Sequence, residues 1–222
     1  MDSSESISDE DFDREKTAVK EIAASFLKAS QGSRAGVIMY SGRPELSVDF
    51  ISQSAFDNFK SAVDALSHRR SMTRIDRALR YASETLFANP RRSVISIAVV
   101  MTDGVQTPGP DVEPLGQAVL PLRLKGVRVL AVGVGPRVNR NELRDLVTSQ
   151  EDVFQMSSFQ ELINKSTELL ETVCPRKYTE ALHEQQQQLQ ARGIICTNKF
   201  SMELQERCHR FIANSLPIHR PF

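Results

Sequence analysis

Three short stretches hold oxygen-bearing side chains at spacings that suit a hard divalent cation. Asp2, Ser4 and Ser6 form a D-x-S-x-S run at the start of the chain. Thr73 stands at the head of a helix-like segment, and Asp103 follows an apolar run in VVMTDG. Two carboxylates and three hydroxyls make an all-oxygen donor set. Such a set fits Mg²⁺, or Mn²⁺, better than a metal that prefers sulfur or imidazole. Five protein donors leave room for a carboxylate from a partner. Each stretch alone has a plainer reading. Asp and Ser solvate an acidic terminus, Thr73 caps a helix, and Asp103-Gly104 ends a strand in a turn.

The three stretches meet only if the elements around them form one sheet edge. Apolar residues recur at helical spacing after Ser8, from Phe12 to Leu27, and Ser8 with Asp11 resembles a capping box. Strands are expected over 35–41, 46–50, 93–101, 127–134 and 153–156, with the 93–101 run apolar enough to be buried on both faces. Helices are expected over 54–66, 73–87, 112–124, 141–147 and 158–173, with Pro121 kinking the 112–124 helix. Strands alternating with helices predict an α/β, Rossmann-like, doubly wound and mostly parallel sheet flanked by helices. Loops at the C-terminal strand ends then gather the candidate ligands.

Composition narrows the function classes. Lys plus Arg and Asp plus Glu each number 28, and a chain of zero net charge is poorly suited to general nucleic-acid binding. No run approaches the roughly 20 apolar residues of a membrane span. The acidic start, MDSSESISDEDFDRE, is the opposite of a secretory leader. Three cysteines exclude a disulfide-dense scaffold and leave a free thiol or an intermolecular bridge. Residues 1–174 carry a net charge of −3 and residues 175–222 one of +3, so two unlike parts sum to zero. The second part contains a run of four Gln (185–188) and is read as a weakly structured or helical extension. Asn164-Lys165-Ser166 is an N-glycosylation acceptor pattern that makes Asn164 a candidate site.

Residues 2–174 resemble a von Willebrand factor type A domain of extracellular-matrix type, collagen VI-like or matrilin-like. DSSES (2–6) is similar to the family's first motif, TRIDRAL (73–79) to its third, VVMTDG (99–104) to its fourth, and RAGVIMYSG and GVRVLAVGVG to two of its strands. The resemblance implies a metal-ion-dependent adhesion site of Asp2, Ser4, Ser6, Thr73 and Asp103 holding Mg²⁺. It also implies an extracellular-matrix or cell-surface protein partner that offers an acidic residue, with the 105–114 loop setting specificity. Two departures stand out: Ile75 and Asp76 replace the usual Thr and Gly, and Glu5 replaces Gly. Asp76 and Glu5 are expected to add negative charge beside the ion.

In the family an apolar central strand precedes the first aspartate, whereas here only Met1 does. Five or six buried side chains at roughly 1.5–3 kcal/mol each amount to about 10 kcal/mol, comparable with a whole domain's stability. The expectation is therefore a chain starting at an internal methionine, lacking that strand and folding poorly. Its parent would supply a signal peptide and be secreted. The resemblance further implies that Cys174 pairs with a cysteine upstream, a single surface or half-buried thiol being the alternative. Two other functions compete. A metal-dependent phosphatase would use Asp2 or Asp103 as nucleophile, but His183, His209 and His219 lie in the extension and His68 in no motif. An intracellular scaffold would pair through the extension, which lacks sustained heptads.

Overall fold

The computed structural model describes residues 1–29, 32–91 and 94–173. Its most buried strand is β4, Val127–Val134, where every residue except Arg128 is shielded from solvent. It lies between β3, Ser96–Thr102, and β5, Val153–Met156, and pairs parallel with both. The register runs from Ser96 opposite Val127 to Thr102 opposite Gly133, which brings Asp103 to the C-terminal edge. A separate antiparallel hairpin joins β1, Arg34–Tyr40, to β2, Pro44–Ser52.

Helices cover both faces. On one lies α1, Asp9–Ala29, which packs on α2, Phe56–Asp64, and on α7 and α8, Phe159–Asn164 and Ser166–Val173. The sequence explains why α1 starts where it does: the Ser8 hydroxyl accepts from the Asp11 amide at 3.1 Å. Asp9, Glu10 and Asp11 fill the positive end and Lys28 the negative end, which suits the helix dipole. Phe12, Val19, Ile22 and Leu27 face the core, and Glu15 shares their stripe. On the other face lie α3, Ile75–Glu84, α4, Leu115–Ala118, α5, Leu120–Leu124, and α6, Arg140–Leu146. A Cβ on Gly133 would stand 2.4 Å from Val138 Cγ1 and 2.7 Å from Leu143 Cδ1, so only glycine lets α6 approach β4 this closely.

The α/β sandwich and the order of its elements agree with the sequence reading, and four local expectations need correction. The 112–124 helix is two, because Pro121 in the first turn of α5 offers no amide to continue the ladder from α4. The last helix divides at Lys165, whose φ of −106° and ψ of 14° leave the helical range. Thr73 lies outside α3, and Arg74 occupies its cap position. Finally, β3 is not buried on both faces. Ser96–Val100 are all half-exposed, because the position beside β3 away from β4 holds no strand among the described residues. Cys174 and the 174/175 boundary lie outside the described residues.

Candidate metal centre

Met1–Ser3 runs alongside the end of β1. The Tyr40 amide donates to the Met1 carbonyl at 3.0 Å, and the Ser3 amide donates to the Tyr40 carbonyl at 2.7 Å. This ladder fixes the backbone from which the first three candidate residues hang. Asp2 is fully buried. Its Oδ1 accepts the Ser4 amide at 2.9 Å and its Oδ2 the Thr102 hydroxyl at 2.8 Å, while its own amide donates to Glu15 Oε1 at 2.7 Å. Burial raises the Asp2 carboxyl above its ordinary range, and the bonds from Ser4 and Thr102 oppose that rise. Glu15, buried beneath the loop beside Asp2, is raised further by its own desolvation, and its Oε2 finds no hydrogen-bond partner.

The loop over 67–73 clamps the first stretch from the other side. The Arg69 amide donates to Ser3 Oγ at 2.7 Å, and the Glu5 amide donates to the Ser71 carbonyl at 2.8 Å. His68 bridges Asp9 Oδ1 at 3.0 Å and the Ser4 carbonyl at 2.9 Å, with its ring stacked on Phe12. Held this way, Ser4 Oγ and Ser6 Oγ lie 2.8 Å apart, and Ser6 Oγ donates to Asp103 Oδ1 at 2.5 Å. Residues separated by 97 positions thus meet in one cluster of oxygens. Thr73, also buried, has its amide on Thr107 Oγ1 at 3.0 Å and its carbonyl on the Thr107 amide at 2.9 Å. Its hydroxyl makes no hydrogen bond to a described residue.

Three participants were missed in the sequence. Thr102 holds Asp2, and its signal was its place beside Asp103 at the strand end. Glu15 was legible as an acid at i+3 from Phe12, on an otherwise apolar stripe. Arg137 carried no signal. Its Nη2 reaches Asp103 Oδ2 at 2.6 Å and also donates to the Ser6 carbonyl, yet 34 residues separate it from Asp103. The expected role of Asp76 also changes. Arg74, 3 % exposed, grips it through Nε to Oδ1 at 2.9 Å and Nη2 to Oδ2 at 2.7 Å. The Glu113 amide adds a bond at 3.1 Å, and Arg74 Nη1 reaches Asp111 Oδ2 at 3.0 Å. Asp76 therefore fastens the 105–114 loop to α3, and Arg74 offsets its charge. Glu5 is exposed, and Asn164 is exposed at the end of α7.

The donors that converge are hydroxyl and carboxylate oxygens. Among the described residues no group of three or more His, Cys, Asp or Glu is placed to hold a metal. Hard oxygen donors with only two carboxylates fit a divalent ion that keeps part of its hydration shell. No helix among the described residues is long and apolar enough to cross a membrane.

A family profile described as the von Willebrand factor type A domain matches residues 1–168. The collagen alpha-1(XXI) chain of Xenopus laevis is 26% identical over 193 residues, covering 83% of this chain and 20% of that protein. The collagen alpha-1(VI) chain of Gallus gallus is 29% identical over 154 residues, covering 68% of this chain and 15% of the relative. The chain thus spans about a fifth or less of the length of these relatives. Among solved structures, proximal thread matrix protein 1 from the mussel byssus superimposes with a TM-score of 0.71 at 25% identity, covering 78% of this chain and 46% of that one. Another structure of that mussel protein has a zinc-occupied MIDAS motif; it is 24% identical, with a TM-score of 0.70.

Proposed function

The chain belongs to the von Willebrand factor type A domain family, and on that premise we propose that it is a non-enzymatic, metal-ion-dependent protein-binding module of extracellular-matrix type. Asp2, Ser4, Ser6, Thr73 and Asp103 would hold one Mg²⁺, with Mn²⁺ as a substitute. Bound there, the ion supplies a coordination position that a carboxylate of a matrix or cell-surface protein can take. The observation that carries this reading is the convergence of Ser4 Oγ, Ser6 Oγ and Asp103 Oδ1 through contacts of 2.8 and 2.5 Å. Residues 1–174 would form the module and 175–222 an extension outside the site.

The chain's own residues orient the centre. Thr102 and the Ser4 amide aim the Asp2 carboxylate, the 67–73 loop fixes the serines, and the Arg74–Asp76–Asp111 network sets the 105–114 loop beside Thr73. Collagen-type and byssal relatives support a matrix setting, with a secreted parent as part of the same proposal. A nucleophilic role for Asp2 fits poorly with a carboxylate fully buried and bonded through both oxygens.

Calorimetric titration of the full chain with Mg²⁺ and Mn²⁺ tests the centre. One ion per chain is expected, lost on Asp103→Ala. Immobilised fibrillar collagen serves as the protein probe. Retention with Mg²⁺ and release by EDTA are expected, whereas retention that survives both EDTA and Asp103→Ala overturns the metal-bridged reading.

A further inference from the structure

Asn164-Lys165-Ser166 is the one Asn-x-Ser/Thr triplet in the chain, and the fold places its two required residues in opposite surroundings. Phe159 and Leu162 bury the inner side of α7. Asn164, the last residue of that helix, lies about 140° round the axis from Phe159. It is exposed, and so is Gln160, one turn earlier on the same side.

Only one atom of the Asn164 amide is engaged. Gln160 Nε2 donates to Asn164 Oδ1 at 3.2 Å, while Asn164 Nδ2 has no hydrogen-bond partner among the described residues. A substituent on Nδ2 therefore breaks no contact of the fold, and the carbonyl keeps its bond to Gln160. Ser166 is the opposite case: it opens α8 and is 7% exposed. Between the two, Lys165 is fixed by its amide on the Glu161 carbonyl and its Nζ on Glu161 Oε1, both at 3.0 Å.

We propose that Asn164 carries an N-linked glycan, added while the chain is still unfolded. In the transfer Asn164 Nδ2 loses a proton and bonds to the anomeric carbon of an oligosaccharide. The bond from that carbon to a polyisoprenyl pyrophosphate breaks, and the lipid pyrophosphate leaves. The transferase needs the Ser166 hydroxyl together with the Asn164 amide. The packed α7–α8 junction hides that hydroxyl, so the modification precedes the packing. Once folded, α7 starts just past the end of β5, and Asn164 lies about 8 Å further along the helix axis, on its outer side. A glycan there keeps the outer side of α7 in solvent and out of protein contacts. The inference rests on the secreted parent of the proposed function, and not on its metal centre.

The full chain, carrying a cleavable secretory leader, is translated in a cell-free lysate with microsomes. One glycan per chain is expected, removed by peptide-N-glycosidase with aspartate left at 164 in the peptide mass spectrum. Asn164→Gln and Ser166→Ala should abolish it, and Ser166→Thr should keep it. A chain protected from protease inside the microsomes yet unmodified at Asn164 overturns the site. The folded, purified chain exposes the triplet only by local opening, so solubilised transferase should modify it at least tenfold more slowly than the nascent chain. Equal rates overturn modification before folding. Mn²⁺ titration of the glycosylated and Asn164→Gln chains should agree within twofold, and a failure of the metal centre there leaves the glycan result standing.

Discussion

Asp103 has two competitors for its carboxylate: the hydroxyl of Ser6 on one oxygen and the guanidinium of Arg137 on the other. Arg137 is 60% exposed, and an ion pair that open to water contributes at most about 1 kcal/mol. An ion arriving at Asp103 displaces it at small cost, so Arg137→Ala should tighten Mn²⁺ binding by about two- to fivefold in calorimetry. A weaker ion on that variant would mean that Arg137 supports the site. The Arg74–Asp76 pair is the opposite case, buried on both sides. Asp76→Ala leaves a guanidinium without its main partner, with an expected cost of about 3 kcal/mol in urea unfolding. Burial pushes the Asp76 carboxyl up, but bonds from Arg74 and from the Glu113 and Arg77 amides outweigh it, leaving it below its ordinary value. Its contribution is therefore full above the unfolded value near 3.8 and fades as pH falls through the lower folded value. Wild-type stability should drop more steeply below pH 4 than that of Asp76→Ala.

The elements explain why those residues meet. α6 can lie against β4 only because position 133 is glycine, and the Asn139 side chain starts that helix by accepting the Asn141 amide at 3.0 Å. Gly133→Ala forces Val138 and Leu143 apart, and a loss of about 1–3 kcal/mol is expected from overpacking, read as a lower urea midpoint with an unchanged slope. Helical periodicity made α1 legible down to its cap, since Ser8 and Asp11 use the local chemistry that the spacing implied. The breaks at Lys165 and between α4 and α5 were less legible. Phe159, Leu162 and Leu169 keep one apolar face across the first break, so periodicity reads straight through it.

At the scale of the whole molecule, the described residues divide into a three-stranded sheet and a hairpin joined through helices and Met1–Ser3. Native-state hydrogen exchange should therefore find its slowest amides in β4, the strand paired on both sides among the described residues. Metal adds stability by mass action: Mg²⁺ at 100 times its dissociation constant should raise unfolding free energy by about 2.7 kcal/mol, a gain absent in Asp103→Ala. Sequence alone determined the α/β class, the order of elements and the stretches bearing Asp2, Ser4, Ser6, Thr73 and Asp103. Those follow from local periodicity and from short motifs that survive without knowledge of neighbours. Three things were decided by tertiary structure: the grip of Arg137 on Asp103, the absorption of Asp76 into a buried pair, and the half-exposure of β3. Each depends on which distant segment arrives beside a residue, or on none arriving, and neither outcome is written in the residue's own surroundings along the chain.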